Sequence, residues 1–280
     1  MDAATMPLVS VGITTYNRPD YLKLALDGVL RQTYRNLEII ISADCTPCEK
    51  TRVLLQEYAQ RDSRIRLFNQ PTNIGPPANF QFVLKQATGA YFFWADDDDL
   101  RDERWVEMLL PKLADGNTVV ALSKVVSIDL EGRVVKEYRP LRYAGSRPLR
   151  LASFFLAEAA EGKANIVCGM YRTAFLRSVR HWGEYDRNLF AVDVLFVFDC
   201  LQHGNVEVDA SVTLYKRLPV GKSFPVSSAR DFIQRVYRRV EHDFVCVSIV
   251  DNLLDKALLL LLIPVKLVKQ LAYKVALRIR

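Results

Sequence analysis

Four consecutive carboxylates follow one aromatic run of the chain. Asp96–Asp99 comes directly after Tyr91–Ala95 (YFFWA), a continuous apolar run of strand length. Adjacent carboxylates repel one another, whereas hard divalent cations take oxygen ligands, and Mg²⁺ commonly uses one or two carboxylates together with substrate phosphates. The run therefore predicts a divalent-cation site. The alternative is a solvated acidic turn that caps a helix beginning near Asp102.

A second candidate for chemistry is Asp193, which begins an apolar stretch of helical length (DVLFVFDCL). A carboxylate at the start of such a helix can act as a general base, which makes Asp193 a candidate for that role. Glu184 and Asp186 are substitutes nearby. The alternative is that Asp193 is only the N-cap of its helix.

Cys45 and Cys48 form a CxxC pair. One such pair supplies half of a structural zinc site, no second pair occurs, and the three histidines are scattered along the chain. A redox or zinc site remains an alternative, but the pattern favours a loop between a strand and a helix.

The spacing of apolar residues predicts the elements that must position these groups. In the first 115 residues we expect strands at Leu8–Thr14, Leu37–Ser42, Ile65–Asn69 and Tyr91–Ala95, and helices from Asn17 to Leu30, Glu49–Arg61, Asn79–Gln86 and Asp102–Leu113. Strands alternating with helices are typical of a parallel sheet covered on both faces, which binds ligands at the carboxyl ends of its strands. Three of these strands end in polar loops (TTYNR, ADCTPC and DDDD), so the loops should meet at one edge.

The remainder of the chain predicts a more mixed pattern. We expect a hairpin of Val119–Ile128 and Arg133–Tyr138, helices at Leu149–Ala160, Thr173–Arg180 and Asp193–His203, strands near Val206–Val208 and Val212–Lys216, and a long helix over Ala229–Asp255.

The order of these motifs resembles a known enzyme family. VSVGITTYNRPDYLKLALDGVLRQTYRNLEIIIS, then NIGPPANF, then YFFWADDDDL resemble the nucleotide-sugar half of the family-2 inverting glycosyltransferases, and NIVCGMYRTAFLRSV, GEYD and AVDVLF resemble its acceptor half more loosely. The resemblance implies the A-type glycosyltransferase fold, an α/β fold with a Rossmann-like, mostly parallel mixed sheet and flanking helices. It implies a catalytic domain over residues 1–220, divided into a nucleotide-sugar half (7–115) and an acceptor half (116–220), and a basic helical extension over 221–280.

The resemblance also assigns roles by position. Residues implied to hold the nucleotide sugar are Thr14, Thr15, Tyr16 (near the base), Asp44 (accepting a hydrogen bond from the base), Asn73, Asn79, Asp96 and Asp97. The Asp-X-Asp motif of the family falls on the acidic run, where Asp98 and Asp96 are implied to hold Mn²⁺ or Mg²⁺, with Asp98 contacting the metal most directly. Asp193 matches the position of the catalytic base. Trp182 and Tyr185 are expected on the acceptor side, and Tyr215–Arg217 near the diphosphate.

The function implied is a metal-dependent inverting hexosyl- or related glycosyltransferase. Its donor would be a nucleotide-diphosphate sugar, with a UDP-sugar as the first expectation, and its acceptor a hydroxyl of a glycan or lipid-linked glycan in surface polysaccharide synthesis. The rival hypothesis is a catalytically degenerate module that binds a nucleotide sugar or glycan, or a membrane scaffold. Its support is Ala43, which stands where the family often has a second acidic residue.

The C-terminal region carries the excess positive charge. Residues 216–280 hold 13 Lys and Arg against 5 Asp and Glu, a balance of +8, so the rest of the chain contributes −2 to the net charge of +6. Ala257–Val265 is apolar but too short to span a bilayer, and basic and aliphatic residues alternate beyond it. This predicts a helix lying on an anionic membrane surface. Packing on the body or on a second subunit is the alternative, and Tyr273 as the single aromatic beyond Phe244 disfavours nucleic acid.

Composition sets the remaining expectations. A chain of 280 residues, half hydrophobic and a quarter charged, is a folded globular protein and not a disordered or disulfide-stapled one. Five cysteines suggest reduced thiols, and Met1–Met6 holds no signal-peptide pattern. We therefore expect a cytoplasmic protein, peripheral on the inner face of the cell membrane, and a homo-oligomer as one further arrangement.

Overall fold

The computed structural model describes residues 6–179, 191–218 and 229–278; within the last range, the side chains of 229–233, 235, 236, 271 and 273–278 are excepted. The strands are β1 (Val9–Thr15), β2 (Leu37–Ala43), β3 (Ile65–Asn69), β4 (Tyr91–Asp96), β5 (Leu100–Arg101), β6 (Thr118–Ile128), β7 (Val134–Glu137), β8 (Met170–Arg172) and β9 (Asn205–Arg217). The helices are α1 (Pro19–Leu30), α2 (Glu49–Arg61), α3 (Pro76–Gln86), α4 (Trp105–Leu109), α5 (Arg147–Leu156), α6 (Thr173–Ser178), α7 (Val192–His203), α8 (Ala229–Ser248) and α9 (Leu253–Arg278). Short 3₁₀ helices cover Leu110–Leu113, Ala159–Glu161 and Lys163–Cys168.

All the described strands belong to one sheet. Its order is β3-β2-β1-β4-β8-β6-β9-β5, with β7 added alongside β6. Strands β1 to β4 pair in parallel, and β6 pairs with β9 in parallel, whereas β8 runs antiparallel between β4 and β6. The predicted mixed α/β fold with a C-terminal helical extension is confirmed.

Alternating side chains cover the two faces of this sheet with separate cores. On one face Ile13 and Phe93 pack with residues of α1, α2 and α4. On the other face Ile40, Phe92 and Trp94 pack with residues of α3, α5 and α7. Because both faces are covered, the strand ends are where polar groups of the central sheet can reach solvent.

Several boundaries differ from the sequence predictions for local reasons. Helix α3 begins at Pro76, three residues earlier than predicted, since proline is tolerated in a first helical turn. The predicted helix over Asp102–Leu113 is the shorter α4 followed by a 3₁₀ turn, and Pro111 stands at that change because it lacks an N–H group. The two short strands predicted near Val206 and Val212 are a single strand, β9, and the predictions contained no equivalent of β8.

The long helix predicted over Ala229–Asp255 begins where predicted, but its end is wrong. Helix α8 ends at Ser248, and a separate helix, α9, starts at Leu253. Asn252 supplies the break. Its Oδ1 accepts the backbone N–H groups of Leu254 at 3.0 Å and Asp255 at 3.1 Å, as an N-cap residue does. None of the described helices combines the length and apolarity that crossing a membrane requires.

Candidate active site

The ends of β1, β2 and β4 lie side by side, as expected for parallel strands. Thr14 stands opposite Ser42 of β2 and Asp96 of β4, and Thr15 opposite Ala43. Thr15 is buried and Thr14 half-buried, whereas Tyr16 is exposed. The three polar loops thus meet at one edge of the sheet, with Tyr16 open to a ligand.

Arg18, at the start of α1, lies against the acidic run. Its guanidinium pairs with the carboxylate of Asp98, and its Nη1 lies 3.5 Å from Oδ1 of Asp97. Burial raises the pKa of Asp97 to about 6, and the charges of Asp98 and Asp96 add to this, while Thr15 and Arg18 lower the pKa. Burial likewise raises the pKa of Asp98, against the lowering effect of Arg18. Burial and mutual repulsion therefore disfavour the charged forms of these carboxylates, and Arg18 offsets part of that cost.

Asp99, to which we assigned no individual role, is the most deeply buried of the four carboxylates. Its Oδ1 accepts the backbone N–H of Arg217 at 2.9 Å, and its Oδ2 is buried without a hydrogen-bond partner among the described residues. Burial raises its pKa, and the charge of Asp96 raises it further. Ligand atoms of Asp96, Asp99 and Cys168 all lie within 4.8 Å of one another. Within the described residues, the carboxylate of Asp96 therefore lies close to that of Asp99, whereas the carboxylate of Asp98 pairs with Arg18.

These carboxylates fit a hard divalent cation. The unpartnered Oδ2 of Asp99 and the mutual repulsion of the acids both favour a cation, and oxygen is the ligand that Mg²⁺ and Mn²⁺ prefer. The third member of the cluster, Cys168, fits less well, because burial raises its pKa to about 11 and keeps the thiol protonated. The oxygens of Asp96 and Asp99 are therefore the groups that suit such an ion.

A pocket of about 250 Å³ adjoins the acidic cluster. It is lined by Pro76, Pro77, Phe80, Trp94, Asp96, Val167, Cys168, Val192, Asp193 and Lys216. Two carboxylates and one ammonium thus share a pocket whose other walls are mainly apolar. Mainly apolar walls with a few convergent polar groups are typical of a small-molecule binding site.

Asp193 reaches this pocket from the first turn of α7. The N-cap of that helix is Ala191, with φ of 54°, and the Oδ1 of Asp193 accepts the N–H of Val194 at 2.9 Å. The alternative of Asp193 as the N-cap is therefore wrong by two residues. Asp193 is half-buried and lines the pocket, and its role as a general base stays a prediction.

Lys216, near the end of β9, is the one ammonium among the described lining residues. Its Nζ lies 3.7 Å from the Sγ of Cys168. The neighbouring Cys168 sulfur and the carboxylates of Asp96, Asp99 and Asp193 raise its pKa, so it is positively charged at neutral pH. Lys216 can therefore face an anion in the pocket.

Arg217, the next residue, has a structural role instead. Its guanidinium donates to the carbonyls of Asp98, Asp129 and Leu130 at 2.9 to 3.1 Å and lies over the ring of Tyr21. It therefore joins the acidic loop to the turn at Asp129 and Leu130 through Nε and Nη1, and its contact with a diphosphate stays a prediction.

Asp44 shapes the loop that precedes α3. Its two carboxylate oxygens accept the N–H of Ile74 at 2.7 Å and the N–H of Gly75 at 3.0 Å. Gly75 has φ of 79°, which glycine adopts without strain, and its N–H also lies 3.1 Å from Oδ1 of Asn73. Both carboxylate oxygens of Asp44 already accept hydrogen bonds from this loop, and its contact with a base stays a prediction.

Asn79 joins α3 to the sheet. Its Nδ2 donates to the carbonyl of Ser42 at 3.2 Å, and its buried Oδ1 has no hydrogen-bond partner among the described residues.

Asn17, which follows β1, contacts the CxxC loop. Its Oδ1 accepts from the hydroxyl of Thr46 and from the N–H of Cys48 at 3.2 Å. These contacts link the ends of β1 and β2, so both loops are held as one surface.

Four residues assigned from the sequence fall outside the described residues. They are Trp182, Glu184, Tyr185 and Asp186. Of the groups that sequence reasoning did not single out, Arg18 and Cys168 reach the site only through the fold. Arg18 and Cys168 are far along the chain from Asp98 and Asp96, so no local sequence pattern could indicate these contacts.

The sequence and the fold were compared with known proteins. The model of glycosyl transferase family 2 matches residues 10–182. An uncharacterized glycosyltransferase of Methanocaldococcus jannaschii is 32% identical over 139 residues, which cover 49% of this chain and 48% of that protein. A GalNAc(5)-diNAcBac-PP-undecaprenol beta-1,3-glucosyltransferase of Campylobacter jejuni is 33% identical over 134 residues, covering 48% of this chain and 42% of that protein. The chain spans about half the length of the curated relatives it matches.

Solved structures share the fold. The crystal structure of S. aureus TarS 1-349 in complex with UDP superposes with a TM-score of 0.62 at 19% identity, covering 87% of this chain and 66% of that one. The complex of the same protein with UDP-GlcNAc gives a TM-score of 0.59 at 20% identity, covering 83% and 66%. The likeness agrees with the predicted A-type glycosyltransferase fold.

Proposed function

This chain belongs to glycosyl transferase family 2, and from that membership we propose that it moves a sugar from a nucleotide-diphosphate donor to a hydroxyl acceptor with inversion. The observation that carries the proposal is the pocket in which Asp96, Asp193 and Lys216 converge beside the acidic cluster. A base and an ammonium are thereby available on the walls of one cavity. This is the arrangement that a displacement at a sugar carbon needs.

The donor would lie across the ends of the parallel strands. Thr14, Thr15 and Tyr16 would contact the nucleoside, with the exposed ring of Tyr16 near the base, and Asp97 would lie near the ribose. Asn73 and Asn79 would border the nucleoside from the α3 side. The solved TarS structures carry UDP and UDP-GlcNAc, which supports a UDP-sugar as the donor of this chain.

A divalent ion, Mn²⁺ or Mg²⁺, would be held by Asp96 and by carboxylates beside it. Asp98 is the ligand implied by the family motif, and Asp99 is the one that the described cluster adds. When bound, such an ion stabilises the negative charge of the leaving diphosphate as a Lewis acid.

The residues of the chain supply the remaining steps. Asp193 accepts the proton of the acceptor hydroxyl as that oxygen bonds to the anomeric carbon of the sugar. The bond between that carbon and the phosphate oxygen breaks on the opposite face, and its electron pair stays on the diphosphate. The ammonium of Lys216 faces the charge that develops there, and such preorganised charges give large rate effects. Arg217 joins the acidic loop, through the carbonyl of Asp98, to the turn at Asp129 and Leu130.

The acceptor is proposed to be a lipid-linked or surface glycan. The Campylobacter relative is named for an undecaprenol-linked substrate, and the C-terminal region of this chain is basic. Both observations agree with an acceptor presented at a membrane.

The test is turnover of a panel of nucleotide sugars with Mn²⁺ or Mg²⁺, with and without a chelator. Asp193→Ala and Asp98→Ala should each reduce transfer strongly, whereas Asp199→Asn, a change at another acid of α7, should not. Wild-type rates in both alanine variants would reject the mechanism. Calorimetric binding of a donor that is never turned over, with any acceptor of the panel, would instead favour the degenerate binding module.

A further inference from the structure

Helix α9 presents one row of apolar side chains to solvent and buries two of its charged residues against the protein. Leu254, Leu261 and Val268 are 80%, 73% and 66% exposed. Asp255 and Lys266 of the same helix are buried. This reverses the usual distribution, in which a surface helix turns its apolar face inward.

The exposed residues form one continuous surface. Its members, which we call the apolar stripe, are Leu253, Leu254, Ala257, Leu260, Leu261, Pro264, Val265 and Val268, all exposed. At 100° per residue they lie within an arc of about 140°, and the stripe runs about 22 Å along the helix axis. A row of aliphatic side chains of this length in water requires a partner to cover it.

The buried face explains why the helix keeps this orientation. Asp255 pairs with Arg147 of α5 at 2.6 Å. About three turns further along the same face, Lys266 pairs with Asp243 of α8 and lies 4.0 Å from the centre of the Phe155 ring. These two ion pairs, with Leu259 between them, hold the charged face against the body and leave the stripe outside.

We propose that the apolar stripe of α9 docks into the surface of an anionic lipid bilayer. Charge complementarity identifies this partner. The sequence of α9 holds five basic residues and one acidic residue. The acid, Asp255, is neutralised by Arg147 and Lys266 is paired with Asp243, which leaves four basic residues. Lys256 and Lys269 lie on opposite edges of the stripe by helical position. The Nζ of Lys269 donates to the carbonyl of Leu156 at 2.9 Å, so Lys256 is the flanking lysine whose ammonium can reach lipid headgroups.

The composition of the stripe favours lipid over a second protein. It contains Leu, Val, Ala and Pro but neither arginine nor an aromatic residue, the types that dominate protein–protein interfaces. An apolar face flanked by basic residues is typical of helices that lie in the plane of a membrane interface. The stripe would insert its side chains between headgroups while the body of the protein stays outside.

The test is co-sedimentation of the full chain with lipid vesicles at two salt concentrations. An equimolar mixture of phosphatidylcholine and phosphatidylglycerol should bind the protein, and phosphatidylcholine alone should bind it more weakly. Leu254→Glu combined with Leu261→Glu should reduce partition into the anionic vesicles by about tenfold or more. Both leucines are already exposed, so a thermal melt should show that the variant remains folded. Leu24→Glu, at an exposed leucine of α1, is the matched control and should bind as wild type.

Equal vesicle binding by the double variant would overturn the proposal. A second outcome would also overturn it: vesicles bind neither protein, and analytical ultracentrifugation shows a concentration-dependent dimer of the wild type that the double variant does not form. A second copy of the chain would then be what covers the stripe. The proposal does not depend on the proposed sugar transfer. Vesicle binding can be measured without a donor, so the two hypotheses fail separately.

Discussion

The carboxylate of Asp99 accepts a hydrogen bond from the backbone N–H of Arg217 at 2.9 Å. This bond ties the acidic loop after β4 to the end of β9, which lies at the far side of the sheet order. The two halves of the chain therefore meet directly beneath the candidate cation site. Through the same junction, Arg217 supports the loop and Lys216 enters the pocket.

The junction predicts a difference between two substitutions of Asp99. Asp99→Asn keeps an oxygen that can accept the N–H of Arg217 and removes a buried charge. Asp99→Ala leaves that N–H unpaired in a buried position, so its free energy of unfolding should be about 1–3 kcal/mol lower than that of Asp99→Asn. Urea denaturation followed by tryptophan fluorescence measures both. Equal stability of the two variants would show that the bond does not hold the junction together.

Lys216 should affect chemistry more than donor binding. In the proposed mechanism its charge faces the developing diphosphate, so Lys216→Met should reduce kcat by about 10²–10³-fold, the size found when a preorganised charge-stabilising group is removed. The change in KM should be smaller, and steady-state kinetics separates the two. Lys85→Met, at an exposed lysine of α3, is the matched control. A variant with unchanged kcat and a higher KM would instead assign Lys216 to ground-state binding.

The buried pair of Lys266 and Asp243 should stabilise the C-terminal helices as a unit. Lys266→Met leaves the Asp243 carboxylate buried without its partner and should lower the free energy of unfolding by about 3–5 kcal/mol. Adding Asp243→Leu to that variant should recover most of the loss, since no unpaired charge then remains. Lys85→Met, at an exposed lysine of α3, should change stability by less than about 0.5 kcal/mol. Additive losses in the double variant would contradict the pairing.

The helices and strands were predictable wherever apolar residues recur at a regular helical or strand spacing over the whole element. The bounds of α2 and β3 agree with prediction residue for residue, and the meeting of the three polar loops follows from the parallel order of β1, β2 and β4. Strand β8 has only three residues, too few to show a period. The break before α9 depends on one cap, that of Asn252, within an otherwise helical pattern.

The site was predictable where its groups follow strands, and not where tertiary contacts assemble it. The acidic run and Asp193 were identifiable as candidates because each adjoins an apolar element. Arg18 reaches Asp98 across 80 residues, and Cys168 reaches Asp96 across the sheet, so neither contact leaves a local signal. The orientation of α9 likewise depends on the partners of Asp255 and Lys266, which lie on other helices.

His242 on α8 should give the protein a measurable pH dependence between pH 6.5 and 4. Its Nε2 lies 3.4 Å from the carbonyl of Ala191, the N-cap of the helix that bears Asp193, and its Nδ1 lies 3.7 Å from the Sγ of Cys246. Burial lowers the pKa of His242 to about 4, and the positive charges of Lys163 and Lys266 contribute. The folded protein therefore prefers the neutral imidazole.

The sign follows from this preference. A histidine whose pKa is lower in the folded state contributes its stability above the unfolded value of about 6.5 and loses it as the pH falls towards 4. The loss should reach about 3 kcal/mol, since each pKa unit corresponds to about 1.4 kcal/mol. In His242→Gln the free energy of unfolding should fall less over the same range, by roughly that amount. His203→Gln, at an exposed histidine, should behave as wild type. The measurement is urea denaturation at pH 7 and at pH 4.5. An equal fall in the free energy of unfolding of all three proteins would contradict a buried neutral His242 and its link to the Asp193 helix.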